Sequence, residues 1–108
     1  MQVKSKVWLE KNGELVFGIG KAMILRCILK TGSINKAAKE LNMSYRHAWS
    51  YIKSAEKRLG KSLVICTKGG PNGGSARLTP YARDLLKKFS NLEHKIKLST
   101  DKVYKKTF

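Results

Sequence analysis

Arg46, Ser50, Lys53 and Lys57 follow one another at intervals of four, three and four residues. At about 100° per helical residue they fall on one side of a helix. Ala48, Ile52, Ala55 and Leu59 fall on the opposite side of the same segment. The pattern separates an apolar face that can pack from a donor face that can meet a ligand. What that donor face offers is hydrogen-bond donation and positive charge, not nucleophilic attack. An arginine near the N-terminal end, as Arg46 is, can donate two hydrogen bonds to guanine in a major groove about 12 Å wide. Lysines such as Lys53 and Lys57 suit phosphates, and Ser44, Tyr45 and His47 stand close enough to touch phosphates or base edges. The same stripe on an isolated helix would be only a solvated face, so its surroundings decide.

The charge balance favours a ligand. Lys and Arg number 23 against 7 Asp and Glu, a formal +16 at pH 7. Self-repulsion of that size costs stability, and a protein carrying it usually meets a polyanion. Nucleic acid is the first candidate; an acidic membrane surface or an acidic protein comes after it. Little supports an enzyme. The acids Glu10, Glu14, Glu40, Glu56, Asp84, Glu93 and Asp101 are scattered, and there is no nucleophile–base motif. Cys27 and Cys66 lack metal-ligand spacing, and His47 has only His94 as a histidine companion. No metal and no cofactor is expected. The cysteines read as reduced core thiols, although spacing alone leaves a pairing open. No segment reaches the roughly 20 apolar residues that span a bilayer, and the first residues lack the apolar run of a signal peptide. A soluble protein without a membrane partner is expected.

The 108 residues, 42% of them hydrophobic, suffice for a single domain over 1–108. Asn12-Gly13 between the β-prone runs VWLE and ELVF predicts an N-terminal hairpin within 1–19. Gly18-Ile19-Gly20 reads as a flexible exit, being only half of a dinucleotide fingerprint. Residues 20–60 then read as a three-helix core. Apolar residues at 22, 24, 25, 28 and 29 form the first helix, closed by Thr31-Gly32. Ser33 caps a second, short helix with Ala37, Ala38 and Leu41 buried, and Ser44 caps a third that ends at Gly60. A short helix, a tight turn and a capped longer helix form a helix-turn-helix. Over 63–79 the pattern turns extended. LVICTK and SARLT flank the run Lys68-Gly69-Gly70-Pro71-Asn72-Gly73-Gly74, a hairpin with a long flexible tip. GGPNGGSA lacks the lysine and following helix of a phosphate-binding loop. Directly after the third helix it reads as a wing approaching a sugar–phosphate backbone, with Lys68 and Arg77 at its stems. Thr79-Pro80 opens a last helix across 80–108, its tail fraying after Ser99-Thr100-Asp101. The class is α+β, a winged helix-turn-helix.

The run Thr31-Gly32-Ser33-Ile34-Asn35-Lys36-Ala37-Ala38, followed by Met43-Ser44-Tyr45-Arg46-His47-Ala48-Trp49, resembles the N-terminal domain of ModE-type molybdate-responsive regulators. The glycine-rich wing and Arg77-Leu78-Thr79-Pro80 extend the likeness over roughly residues 8–92. LysR-type regulators are similar more distantly. The resemblance implies a dimeric transcriptional regulator of a prokaryotic cytoplasm, associated with the nucleoid, that binds double-stranded DNA through the helix beginning at Ser44 and a wing over 68–77. Full regulators of that type carry a C-terminal molybdate-binding domain that this sequence does not show, so no small-molecule effector is assigned.

The expected DNA-facing set is Ser33, Lys36, Ser44, Tyr45, Arg46, His47, Ser50, Lys53, Lys57, Lys68, Gly69, Gly70, Asn72 and Arg77. Leu85, Phe89, Leu92 and Ile96 repeat at offsets of four, three and four, a heptad spacing expected to form a homodimer seam, with packing onto their own domain as the alternative. Trp49, beside the apolar stripe, is expected to be structural. A non-specific architectural DNA coat and a protein-interaction adaptor on the same fold are the alternatives.

Overall fold

The computed structural model describes residues 1–67 and 74–108. In chain order the elements are β1 (Leu9–Lys11), β2 (Glu14–Phe17), α1 (Ile19–Thr31), α2 (Ile34–Glu40), α3 (Tyr45–Leu59), β3 (Val64–Thr67), β4 (Ser75–Leu78) and α4 (Pro80–Thr107). They make two antiparallel hairpins and four helices.

Local chemistry accounts for most boundaries. Lys11 pairs with Glu14 across Asn12-Gly13, and both turn residues have positive φ, at 54° and 79°. That is the twist a two-residue hairpin turn requires. The hydroxyls of Ser33, Ser44 and Thr79 accept the amides of Lys36, His47 and Ala82 at 3.1, 3.0 and 3.1 Å. Each cap satisfies one amide that the helix start leaves unpaired. Gly32 and Gly60 close α1 and α3 at φ 71° and 68°, where a side chain would be strained.

The helix ends differ from expectation in two places. Ile19 and Gly20 belong to the first turn of α1, with Gly18 as its cap residue. α4 runs to Thr107 rather than fraying after Ser99-Thr100-Asp101. The Thr100 hydroxyl donates back to the Ile96 carbonyl at 2.8 Å, and Thr107 does the same to Val103. Polar groups thereby stay within the helix, and Lys105 and Lys106 sit favourably at its negative end.

The core gathers one face of every helix with the inner residues of both hairpins. Phe17, Ile24, Leu25, Ile28, Leu63 and Phe89 are its largest fully buried side chains. Phe17 and Phe89 meet edge to face, centroids 5.1 Å apart at 87°, a geometry worth roughly 0.5–1.5 kcal/mol beyond the buried area. Ala37, Ala38 and Ala48 are also fully buried, and such small residues let α2 and α3 approach closely. Cys27 is half-buried but Cys66 lies exposed on β3, and both thiols are free. Cys66 is therefore not a core residue, because on β3 and the residue before it only Leu63 and Val64 reach the core, while Ile65, Cys66 and Thr67 stay exposed.

Buried Thr79 joins the second hairpin to α4. Its hydroxyl donates to the Ser62 carbonyl at 2.8 Å while accepting from Ala82. The Ala76 amide donates to the Gly32 carbonyl at 2.8 Å, laying β4 against the α1–α2 connection. The 28 residues of α4, about 42 Å at 1.5 Å per residue, give the molecule its 57 Å long axis. Among the described residues no helix is long and apolar enough to cross a membrane.

Candidate nucleic-acid interface

α3 positions the candidate site. Ala48, Ile52 and Ala55 are buried and Leu59 packs against the core. With that face held down, Arg46, Ser50, Lys53 and Lys57 stand exposed together. Arg46 and Lys57 make no side-chain hydrogen bond or ion pair with the described residues. Lys53 is partly engaged. Its ammonium lies 3.2 Å from Glu56 Oε1 and 5.4 Å from the centre of the Trp49 ring. Trp49, expected to be structural, is exposed, because its position falls just outside the buried stripe.

The other candidates cluster around the start of α3 and the wing. Tyr45 and His47 are exposed, the His47 ring tilted 4.4 Å from that of Tyr51. Ser33 and Ser44 use their oxygens as caps, which leaves each O–H free to donate elsewhere. Lys36 is exposed on α2. Arg77 points outward from β4 opposite exposed Ile65, while Ala76 and Leu78 face inward. Lys68, Gly69, Gly70 and Asn72 lie outside the described residues.

Two further residues fix this arrangement and were not among the expected set. Glu56 Oε2 accepts the Leu63 amide at 2.7 Å, the Val64 amide at 3.3 Å and the Ser62 hydroxyl at 3.5 Å. It clamps the root of the second hairpin onto α3. Burial pushes its carboxyl up, but the Leu63 amide, Lys53 and the Val64 amide together outweigh that and hold it below the usual glutamate value. Arg58 does the same for the first hairpin, donating to the Leu15 carbonyl and pairing with Glu14 at 3.5 Å. A signal for Glu56 was present. It is the only acid in α3 and stands near the negative end of the helix, where an acid is unfavourable without a partner.

Around α3, at about 100° per residue, Tyr51, Ser54 and Arg58 lie to one side of the donor stripe and Trp49 and Glu56 to the other. The donor stripe therefore runs between two hairpins, each tied to α3 by one charged side chain.

The residues expected on a subunit seam divide. Phe89 is buried in the core against Phe17 and Leu85 packs against that core. Phe89 is thus not a seam residue: its first turns of α4 lie against α1 and the hairpins. Leu92 and Ile96 lie beyond the core, Leu92 37% exposed. Leu98, Val103 and Phe108 further along are more exposed still. Among the described residues no group of three His, Cys, Asp or Glu could hold a metal.

The sequence profile of a family described as "Bacterial regulatory helix-turn-helix protein, lysR family" matches residues 20–83. The transcriptional regulator ModE of Haemophilus influenzae is 38% identical over 73 residues, which are 68% of this chain and 29% of that protein. The molybdenum-pterin-binding protein MopB of Rhodobacter capsulatus is 34% identical over 87 residues, 81% of this chain and 32% of its own length. The chain thus spans about a third or less of these relatives. Among solved structures, the CbnR DNA-binding domain in its DNA complex superposes with a TM-score of 0.61 at 18% identity, covering 82% of this chain and 97% of that one. ZitR of Lactococcus lactis gives 0.58 at 19% identity, covering 97% and 72%. At such identities the likeness is one of fold, the winged helix-turn-helix.

Proposed function

From the premise that this chain belongs to the lysR family of bacterial regulatory helix-turn-helix proteins, a family of regulators and not of enzymes, we propose that it binds duplex DNA sequence-specifically and regulates transcription. The observation that carries this reading is the open donor stripe of α3. Arg46, Ser50, Lys53 and Lys57 are exposed while the opposite face is locked in the core. α3 lies in the major groove, with Arg46 reading base edges and Lys57 and Lys53 holding phosphates. Arg77, pointing outward from β4, approaches the neighbouring backbone as part of a wing. Ser33, Lys36, Ser44, Tyr45 and His47 add contacts at the helix starts.

Residues 1–108 act as one DNA-binding module that pairs with a second copy through the far part of α4. Leu92 and Ile96, joined by the exposed apolar residues after them, form the seam. A two-fold dimer sets paired α3 helices about 34–36 Å apart, one turn of DNA, and so selects a palindromic site. The setting is a bacterial cytoplasm.

Selection from random duplexes tests the reading. Enrichment of a motif supports it; a pool without any motif points instead to a non-specific coat, which the +16 charge also suits. Arg46→Ala should relax the motif, at roughly 1–3 kcal/mol for the base pair it reads. Lys57→Ala should weaken all duplexes alike. If the two variants behave identically, Arg46 does not read bases. Sedimentation of Leu92→Asp as a monomer, beside a dimeric parent, supports the seam, and a monomeric parent at micromolar concentration removes it.

A further inference from the structure

We propose that the groove between the first hairpin, the start of α1 and α3 is a second DNA contact, so that this hairpin serves as another wing holding a phosphate strand beside the α3 site. The inference rests on the DNA-binding reading and extends it to residues outside the helix-turn-helix.

The groove is open and encloses about 810 Å³. Its charged lining is wholly cationic: Lys6 from the segment before β1, Lys21 from α1 and Arg58 from α3. Trp8 and Tyr51 form flat walls and remain 49% and 38% exposed. The Lys21 ammonium sits 5.3 Å from the centre of the Tyr51 ring. Nearby acids are already committed. Glu14 pairs with Arg58, and Glu10 accepts the Trp8 indole N–H at 2.7 Å. Three cations against these two carboxylates leave a positive balance, bordered by aromatic faces against which a sugar can pack.

Continuity with α3 selects DNA over another anion. Ser50 and Ser54 line this groove and also a smaller one of about 660 Å³ that contains Lys53 and Lys57. A strand following the donor stripe therefore passes directly onto Lys6 and Lys21. The Arg58 ties fix the first hairpin against α3, so the hairpin wall of the groove is in place before DNA arrives, and less ordering is needed on binding.

The test is the salt dependence of binding to a mixed-sequence 20-base-pair duplex, comparing the full chain with Lys6→Ala/Lys21→Met. Methionine keeps an apolar stem against Tyr51. Each phosphate contact contributes about 0.9 to the slope of log affinity against log salt, so the double variant should flatten the slope by roughly 1.8. At 0.1 M salt its affinity should fall about tenfold or more. Lys6→Arg/Lys21→Arg should restore both. An unchanged slope in a folded double variant overturns the proposal. Should that variant unfold, Lys6→Ala alone, altering an exposed residue, must flatten the slope by about 0.9 or the proposal fails. Arg46→Ala/Lys57→Ala separates the two readings. If it and the groove variant both bind as the parent does, the α3 reading fails as well, whereas loss in the α3 variant alone removes only the groove.

Discussion

Replacing Glu56 by alanine unfastens the second hairpin from α3. In the folded protein its side chain is only 13% exposed, and one carboxylate oxygen accepts the Leu63 and Val64 amides at 2.7 and 3.3 Å. A hydrogen bond to a charged group contributes about 1.5–3 kcal/mol. The two amides share an oxygen and the second is long, so together they count as little more than one such bond. The half-exposed ion pair with Lys53 adds at most about 0.5 kcal/mol. The expected loss is about 2 kcal/mol, and at roughly 4–8 °C per kcal/mol for a domain near this size the Tm should fall by about 10 °C. Circular dichroism reads the melting, and hydrogen exchange reads the Leu63 and Val64 amides, which should lose protection before the rest of the core. pH gives an independent check. The folded carboxyl titrates below its ordinary value of 4.5, so its stabilisation is complete above that value and is lost as pH falls through the lower, folded one. Glu56→Gln should lack this acid-dependent component. A Tm within about 2 °C of the parent, with the Leu63 amide still protected, would refute the clamp.

Three other outcomes follow from the same physics. Ser44→Ala removes the cap of α3 and should cost about 1 kcal/mol, measurable by urea unfolding; an unchanged midpoint would mean that the His47 amide finds water equally well. Gly32→Ala places a side chain at φ 71° with nothing within 4 Å of its Cβ, so the cost of about 1–2 kcal/mol is one of backbone strain alone. Gly32→Asn should recover part of it, and equal melting of the two variants would contradict this. Ala48→Leu overfills a fully buried position on the inner face of α3 and should cost about 1–3 kcal/mol. It should also weaken DNA binding, since α3 must shift outward, and a stable, fully binding Ala48→Leu protein would show that the helix approach is not tight.

Much of the fold was legible because its causes are local. Asn12-Gly13 makes a hairpin turn through the φ values those two residues tolerate, and Ser33, Ser44 and Thr79 cap helices through amides three residues away. Period alone separated the buried and donor faces of α3, since Ala48, Ile52 and Ala55 share an angle that Arg46, Ser50, Lys53 and Lys57 do not. The family likeness was equally readable in the TGSINKAA and MSYRHAW runs.

Tertiary structure decided what depends on partners distant in sequence. The heptad offsets of Leu85, Phe89, Leu92 and Ile96 fit a seam and a core equally well, and only the docking of Phe17, 72 residues before Phe89, committed Phe89 to the core. Arg58 reaches Leu15 across 43 residues and so makes the first hairpin a neighbour of α3. No periodicity encodes that. A pattern records which side of an element prefers to leave water, but the element that covers it, and the charged residue that holds it there, emerge only when the whole chain closes.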